Sequence, residues 1–212
     1  MSIQKMQVLG RIVDSGLVAV VRAESSEQGA RIAEACAKGG VAAIEITFTV
    51  PGAAGVIADL AEMYKSGEIL IGAGTVLDPE TARTAILAGA QYIVSPSLNA
   101  DTARLCNRYQ VPYLPGAATV REIVEALEWG ADIIKIFPGE LLGPPFVRAV
   151  RGPIPQASLM PSGGVSLENV ADWIQAGCPA VSVGGNLTKG DYQSITDTAR
   201  KFIERIREAR GK

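Results

Sequence analysis

Eight short runs, six of them carrying β-branched residues, recur along the chain, each followed by a longer stretch of helical period, and this alternation constrains the fold more than any other feature. The runs are LVAVV (17–21), AAIEIT (42–47), EILIGAG (68–74), YIVSP (92–96), PYLPG (112–116), DIIKIFP (132–138), SLMPSGG (158–164) and AVSVGG (180–185). Amphipathic stretches such as SSEQGARIAEACAKGG and TVREIVEALEWGA lie between them, and a short amphipathic helix is predicted before the first. Strands that alternate with helices pair in parallel, because the crossover returns the chain to the same edge. Eight such units predict an α/β fold, a (β/α)₈ TIM barrel, small for that architecture at 212 residues. A doubly wound open sheet is the competing arrangement. With no linker or low-complexity tract, residues 1–212 read as one domain.

Local signals agree with these boundaries. Ser25 or Ser26 is placed to cap the first barrel helix, and Asp78-Pro79-Glu80 reads as a capping aspartate, a first-turn proline and an acidic first turn. Ser166, followed by Glu168 and Asn169, predicts another helix start. Gly39-Gly40, Gly89, Gly130 and Gly177 predict helix ends. The basic residues of KFIERIREARGK read as the solvated face of the last helix.

Composition removes several function classes. The net charge is −2 and the isoelectric point about 5.3, so no broad basic surface for nucleic acid is implied. No apolar run approaches the ~18 residues of a membrane span, and the N-terminus lacks the apolar core and cleavage site of a signal peptide. A cytoplasmic protein is expected, with Cys36, Cys106 and Cys178 as small core residues in a reducing compartment. The chain contains no histidine, which rules out histidine metal ligands and a Ser-His-Asp triad. Chemistry must run on lysine, carboxylates, hydroxyls or backbone.

In such barrels the reacting groups sit at the C-terminal ends of the strands. Arg22, Glu45, Thr47, Thr75, Ser95, Lys135, Ser162 and Asn186 are the polar residues there. Lys135 lies between Ile134 and Ile136, where a charged amine is costly to bury. Its functional reading is a desolvated amine that attacks a ketone, the resulting iminium serving as an electron sink; its bland reading is a salt bridge at the barrel rim. Glu45 and Thr47, the latter a candidate substrate-binding residue, share one face of their strand, and Ile133, Lys135 and Phe137 one face of theirs. If both faces point inward, Glu45 meets Lys135 and can move protons through a water, or merely satisfy its charge. Neither a metal nor a cofactor is needed.

Two strand ends carry glycines: Ser162-Gly163-Gly164 and Gly184-Gly185-Asn186. Glycine permits close backbone approach, and loops after the seventh and eighth strands commonly bind phosphate in this architecture, helped by a following helix N-terminus. The alternative is that these glycines serve tight turns only. In GAGTV (72–76) the dinucleotide pattern is incomplete, and Gly72 and Gly74 are expected to let Thr75 point into the pocket.

The blocks IEITFT, IGAGTVLDPE, YIVSPSLN, YLPGAAT, IIKIFPGE, MPSGGV and VGGN, in that order over nearly the whole chain, resemble the 2-keto-3-deoxy-6-phosphogluconate (KDPG) aldolase family, which includes 4-hydroxy-2-oxoglutarate (KHG) aldolases. The resemblance implies a class I aldolase on a (β/α)₈ barrel, usually a homotrimer, with Lys135 as the Schiff-base lysine and Glu45 as the general base. It also implies pyruvate packing by Thr75, Pro96 and Phe137 and phosphate binding by Gly163, Gly164 and Gly185. Some members carry an arginine where this chain has Thr49; Arg22, at the end of the first strand, is the expected replacement for holding the pyruvate carboxylate. A rim salt bridge is its other reading. Some members also have serine where this chain has Asn186. The substrates so implied are KDPG, pyruvate and glyceraldehyde 3-phosphate, with 4-hydroxy-2-oxoglutarate as a second substrate. Rival readings are an aldolase for the galactonate epimer or for an unphosphorylated hydroxy-keto acid, a phosphate-binding barrel that forms no imine, and a trimeric barrel used as an assembly scaffold.

Overall fold

A computed structural model describes residues 4–211 of the predicted 1–212 domain. Nine parallel strands are formed: β1 (Leu17–Val21), β2 (Ala43–Thr47), β3 (Leu70–Gly74), β4 (Ile93–Val94), β5 (Tyr113–Leu114), β6 (Gly116–Ala117), β7 (Ile134–Ile136), β8 (Leu159–Pro161) and β9 (Val181–Val183). Helix α1 (Gln4–Ser15) comes first; α2 (Ser26–Lys38), α3 (Ala53–Met63), α4 (Pro79–Leu87), α5 (Ala100–Tyr109) and α6 (Val120–Glu128) follow among the strands. The last four are α7 (Gly139–Arg151), α8 (Val170–Gln175), α9 (Gly185–Thr188) and α10 (Tyr192–Ala209). None is long and apolar enough to cross a membrane among the described residues.

The nine strands correspond to the eight predicted runs, because the fifth run is divided at Pro115. A proline has no N–H for the ladder, but its carbonyl still accepts from Lys135 N–H at 2.9 Å. Six strands form a curled parallel sheet in the order β5-β4-β3-β2-β1-β9, and β6-β7-β8 form a second; a parallel bridge between Ser162 and Ser182 links β8 to β9. The first and last strands are neighbours, with Leu17 opposite Val181 and Ala19 opposite Val183. A doubly wound open sheet does not bring its chain ends together in this way.

Strand alternation sorts the side chains into two cores. Leu17, Ala19 and Val21, with Ile44 and Ile46, Ile134 and Ile136, and Val181 and Val183, pack outward under the helices. The opposite face contributes Val18, Ala43, Leu70, Tyr92, Leu114, Ile133, Met160 and Ala180 to an inner cluster. Val8, Leu9 and Ile12 of α1 join that cluster and close one end of it. Beyond the apolar layer, two residues farther along their strands, stand Glu45 and Lys135.

The expected caps form: Ser25 accepts from Gln28 N–H, and Asp78 accepts from Thr81 N–H behind Pro79. Two expectations need correction. The helix after the Ser162-Gly163-Gly164 loop is regular only from Val170; Ser166 opens the turn before it, its carbonyl accepting from Val170 N–H at 2.9 Å, while the Asn169 amide bridges Ser166 N–H and Gly164 O. In the last helix Arg210 is not a solvated cation; its guanidinium donates to the carbonyls of Val13, Asp14 and Pro179 and ties α10 to the end of α1. Cys36, Cys106 and Cys178 are all buried and free, and burial pushes each thiol up to about 12.

Candidate active site

Lys135 and Glu45 face each other from β7 and β2. Lys135 Nζ lies 4.0 Å from Glu45 Oε1, with the lysine side chain 3% exposed and the glutamate 0%. Neither carboxylate oxygen has a hydrogen-bond partner among the described residues. At this separation the pair attract across a low-dielectric gap but do not bond directly. An intervening water or substrate oxygen would complete a proton path. The Lys135 ammonium position is also 5.4 Å from the centroid of the Phe137 ring, within cation–π range.

The glycines of β3 have a different purpose from the one the sequence suggests. A Cβ on Gly74 would run into the Glu45 carboxyl group, and one on Gly72 into the ring of Tyr92. They make room for their neighbours' side chains rather than for Thr75. Thr75 itself carries the strain: its φ is 57°, a left-handed conformation that costs a β-branched residue about 1–3 kcal/mol. Thr47 is fully buried, its hydroxyl bonded to Val21 O at 3.0 Å and to the Thr49 hydroxyl at 2.7 Å. The residue at the missing arginine position is thereby tied back to the β2 end. Pro96 is half-buried at the end of β4, where its carbonyl presses so closely on Gly116 that no Cβ would fit there.

The two glycine-bearing loops come together around a cavity of about 340 Å³ lined by Arg22, Phe137, Ser162, Gly163, Gly164, Gly184, Gly185 and Asn186. Asn186 Nδ2 donates to Val165 O at 2.9 Å and staples one loop to the other. Gly163 and Gly164 have φ of 90° and 72°, which side-chain-bearing residues rarely adopt. Among the described residues their N–H groups bond to no backbone carbonyl. The helices beyond the loops, α8 and α9, have only 6 and 4 residues. The expected helix dipole is therefore not a strong contributor, and backbone N–H groups are left as the donors.

Arg22 is exposed and belongs to none of the salt bridges among the described residues, so the rim-salt-bridge reading does not hold. Its guanidinium lies against Gly184, and it also borders a second cavity of about 970 Å³ that reaches Arg31, Lys189 and Asp191.

Three residues of this region escaped the sequence reading. Tyr92 is fully buried over Gly72 with its hydroxyl unpartnered, and burial first, then the Glu45 carboxylate, raise its phenol well above the usual tyrosine range. Glu140 packs its side chain against Gly163 and Gly164, a carboxylate beside the proposed anion loop. Ser182 is fully buried and unpartnered in the loop cavity. Alternation along AVSVGG signals an inward Ser182; nothing in the sequence pairs Glu140 with a loop more than 20 residues away. Among the described residues, no group of three or more His, Cys, Asp or Glu side chains is clustered to hold a metal ion.

Residues 9–204 match the family described as KDPG and KHG aldolase. A 2-dehydro-3-deoxy-phosphogluconate aldolase of Treponema pallidum (strain Nichols) is 34% identical over 196 residues, 89% of this chain and 92% of that protein. A 2-dehydro-3-deoxy-6-phosphogalactonate aldolase of Escherichia coli (strain K12) is 34% identical over 197 residues, 91% of this chain and 95% of that one. Among solved structures, a KDPG aldolase from Legionella pneumophila with pyruvate captured as a covalent carbinolamine superimposes with a TM-score of 0.82 at 26% identity, over 89% of this chain and 94% of that one. The family match and the curated relatives together show that the chain belongs to the KDPG and KHG aldolase family.

Proposed function

We propose that this enzyme reversibly cleaves KDPG into pyruvate and glyceraldehyde 3-phosphate through a Schiff base on Lys135. The observation that carries the reading is the buried Lys135–Glu45 pair, 4.0 Å apart on facing strands. The amine adds to the C2 ketone and loses water to give an iminium. Glu45, through a water, takes the C4 hydroxyl proton as the C3–C4 bond breaks, and the bond's electrons flow into the iminium to form an enamine. The aldehyde departs, C3 is reprotonated, and hydrolysis releases pyruvate. Phe137, Thr75 and Pro96 pack the pyruvate portion. Thr47 holds the end of β2 in place, and Arg22 clamps the carboxylate. The N–H groups of Ser162-Gly163-Gly164 and Gly184-Gly185, with the Asn186 amide, receive the phosphate. The carbinolamine in the Legionella pneumophila relative supports the covalent route.

The same reading carries a single domain over residues 1–212 and one closed barrel. In it β5 and β6 act as a single strand, and the Ser162–Ser182 bridge makes the last seam. It also carries a cytoplasmic homotrimer; exposed apolar side chains at Leu77, Leu87, Val120 and Val124 support self-association. A second reading, the galactonate epimer as substrate, is favoured by the Escherichia coli relative. Borohydride reduction in the presence of pyruvate, followed by peptide mapping, tests the mechanism. A single adduct on Lys135 is expected, and Lys135→Ala should abolish both adduct and cleavage; an adduct elsewhere, or none in active enzyme, refutes it.

A further inference from the structure

Ser182 lies on β9 with Ala180 and Gly184 on its side of the strand, while Val181 and Val183 pack outward. The residue is 0% exposed, and its Oγ has no hydrogen-bond partner among the described residues. Native proteins leave few buried hydroxyls unpaired, and each one calls for an explanation. Its position offers one. Ser182 lines the cavity of about 340 Å³ shared by Arg22, Phe137, Ser162 and the glycine loops. The parallel bridge to Ser162 sets the two serines side by side on adjacent strands. Two residues of extended chain, about 6–7 Å, separate Ser182 from Gly184 at the mouth. Phe137, whose ring is 5.4 Å from Lys135 Nζ, also lines the cavity. Ser182 thus lines the same cavity as Phe137 and the glycine loops. A neutral hydroxyl can both donate to and accept from a substrate hydroxyl.

We propose that Ser182 is a specificity-determining residue that hydrogen-bonds the substrate hydroxyl on the carbon between the cleaved carbon–carbon bond and the phosphate-bearing carbon. The assignment rests on the aldolase reading above. Ser162 flanks the same space, but its backbone already binds Ile136 O and Gly139 N–H, which fixes it as a wall of the cavity. Ser182 is the fully buried one of the two serines, its hydroxyl without a hydrogen-bond partner among the described residues.

The test uses the full-length protein in the condensation direction. Pyruvate is offered glyceraldehyde 3-phosphate or 3-oxopropyl phosphate, the analogue lacking the 2-hydroxyl. Wild-type enzyme should prefer the hydroxylated aldehyde in kcat/KM. Ser182→Ala should reduce that preference about tenfold, the worth of one neutral hydrogen bond at the upper end of its range. A preference unchanged in Ser182→Ala overturns the proposal, because a packing defect lowers both aldehydes alike. Borohydride trapping of pyruvate on wild-type Lys135 separates the two layers of the argument. Trapping with an unchanged preference refutes the Ser182 assignment alone; active enzyme without trapping refutes the aldolase mechanism beneath it.

Discussion

Lys135 and Glu45 are sealed from solvent at 3% and 0% exposure, whereas Gly164, Gly185 and Asn186, at the other end of the same site, are open to it. The sealed end sets a lysine and a glutamate 4.0 Å apart, with no hydrogen-bond partner for the carboxyl oxygens among the described residues, so each strongly feels the other and any group that comes between them. The open end mixes signs: the Arg22 guanidinium lies against Gly184, and the Glu140 carboxylate packs on Gly163. Such a mixture is tolerable there because water and salt screen it. Bond making needs the sealed environment, since a proton path and an electron sink work only where bulk water does not compete. The anion capture proposed for the open end needs donors in fixed positions, which backbone N–H groups of glycines at positive φ supply without burial.

If this division is right, changes at the two ends should have different kinetic signatures. The largest effect is expected from Glu45→Gln, which keeps the shape of the sealed end and removes its base. Cleavage should slow by about 10²–10⁴-fold, while pyruvate still forms a reducible adduct on Lys135; unaltered cleavage and unaltered proton exchange at the pyruvate methyl would reduce Glu45 to a structural partner. Next comes Gly163→Val, whose side chain would meet the Glu140 carboxylate at a φ of 90°. It should cost about ten- to a hundredfold in kcat/KM for KDPG, the range for losing hydrogen bonds to a charged group. Much less should be lost for 4-hydroxy-2-oxoglutarate, which has no phosphate. Equal losses would mean the glycines only shape turns. The smallest effect should come from Arg22→Lys, which keeps the charge and loses the two-pronged geometry. KM for pyruvate should rise by up to about tenfold, and an unchanged KM in Arg22→Ala would assign the carboxylate to another residue.

The division was only half legible in the sequence. The sealed end could be read well: a lysine inside IIKIF and a glutamate inside AIEIT are conspicuous because apolar strands rarely carry charge, and period-two alternation puts both on the inner face. The strand runs were legible for the same reason, and β1 matches its predicted run residue for residue. The open end was harder. Glycines announce a turn, but not what approaches it, so Glu140 against Gly163 and the true neighbours of Gly72 and Gly74 emerge only in three dimensions. The irregular turn before α8 was hidden because the Asn169 side chain bonds back to Ser166 N–H and Gly164 O. The split at Pro115 was visible as a residue but not as a break, since the neighbouring strand reaches its carbonyl.

The three buried thiols give the folded chain a built-in clock. Cys36 lies in α2, Cys106 in α5, and Cys178 in the turn between α8 and β9, so they sample different parts of the helical layer. Each is held protonated by burial, its titration pushed up to about 12. An alkylating reagent needs an exposed thiolate, so modification at neutral pH must wait for the segment around that cysteine to open. The modification rate at each site then reports a local opening equilibrium. Where all three are modified at one common rate, the layer opens as a unit; where Cys178 leads, the seam between the last strand and α8 is the first part of the molecule to breathe.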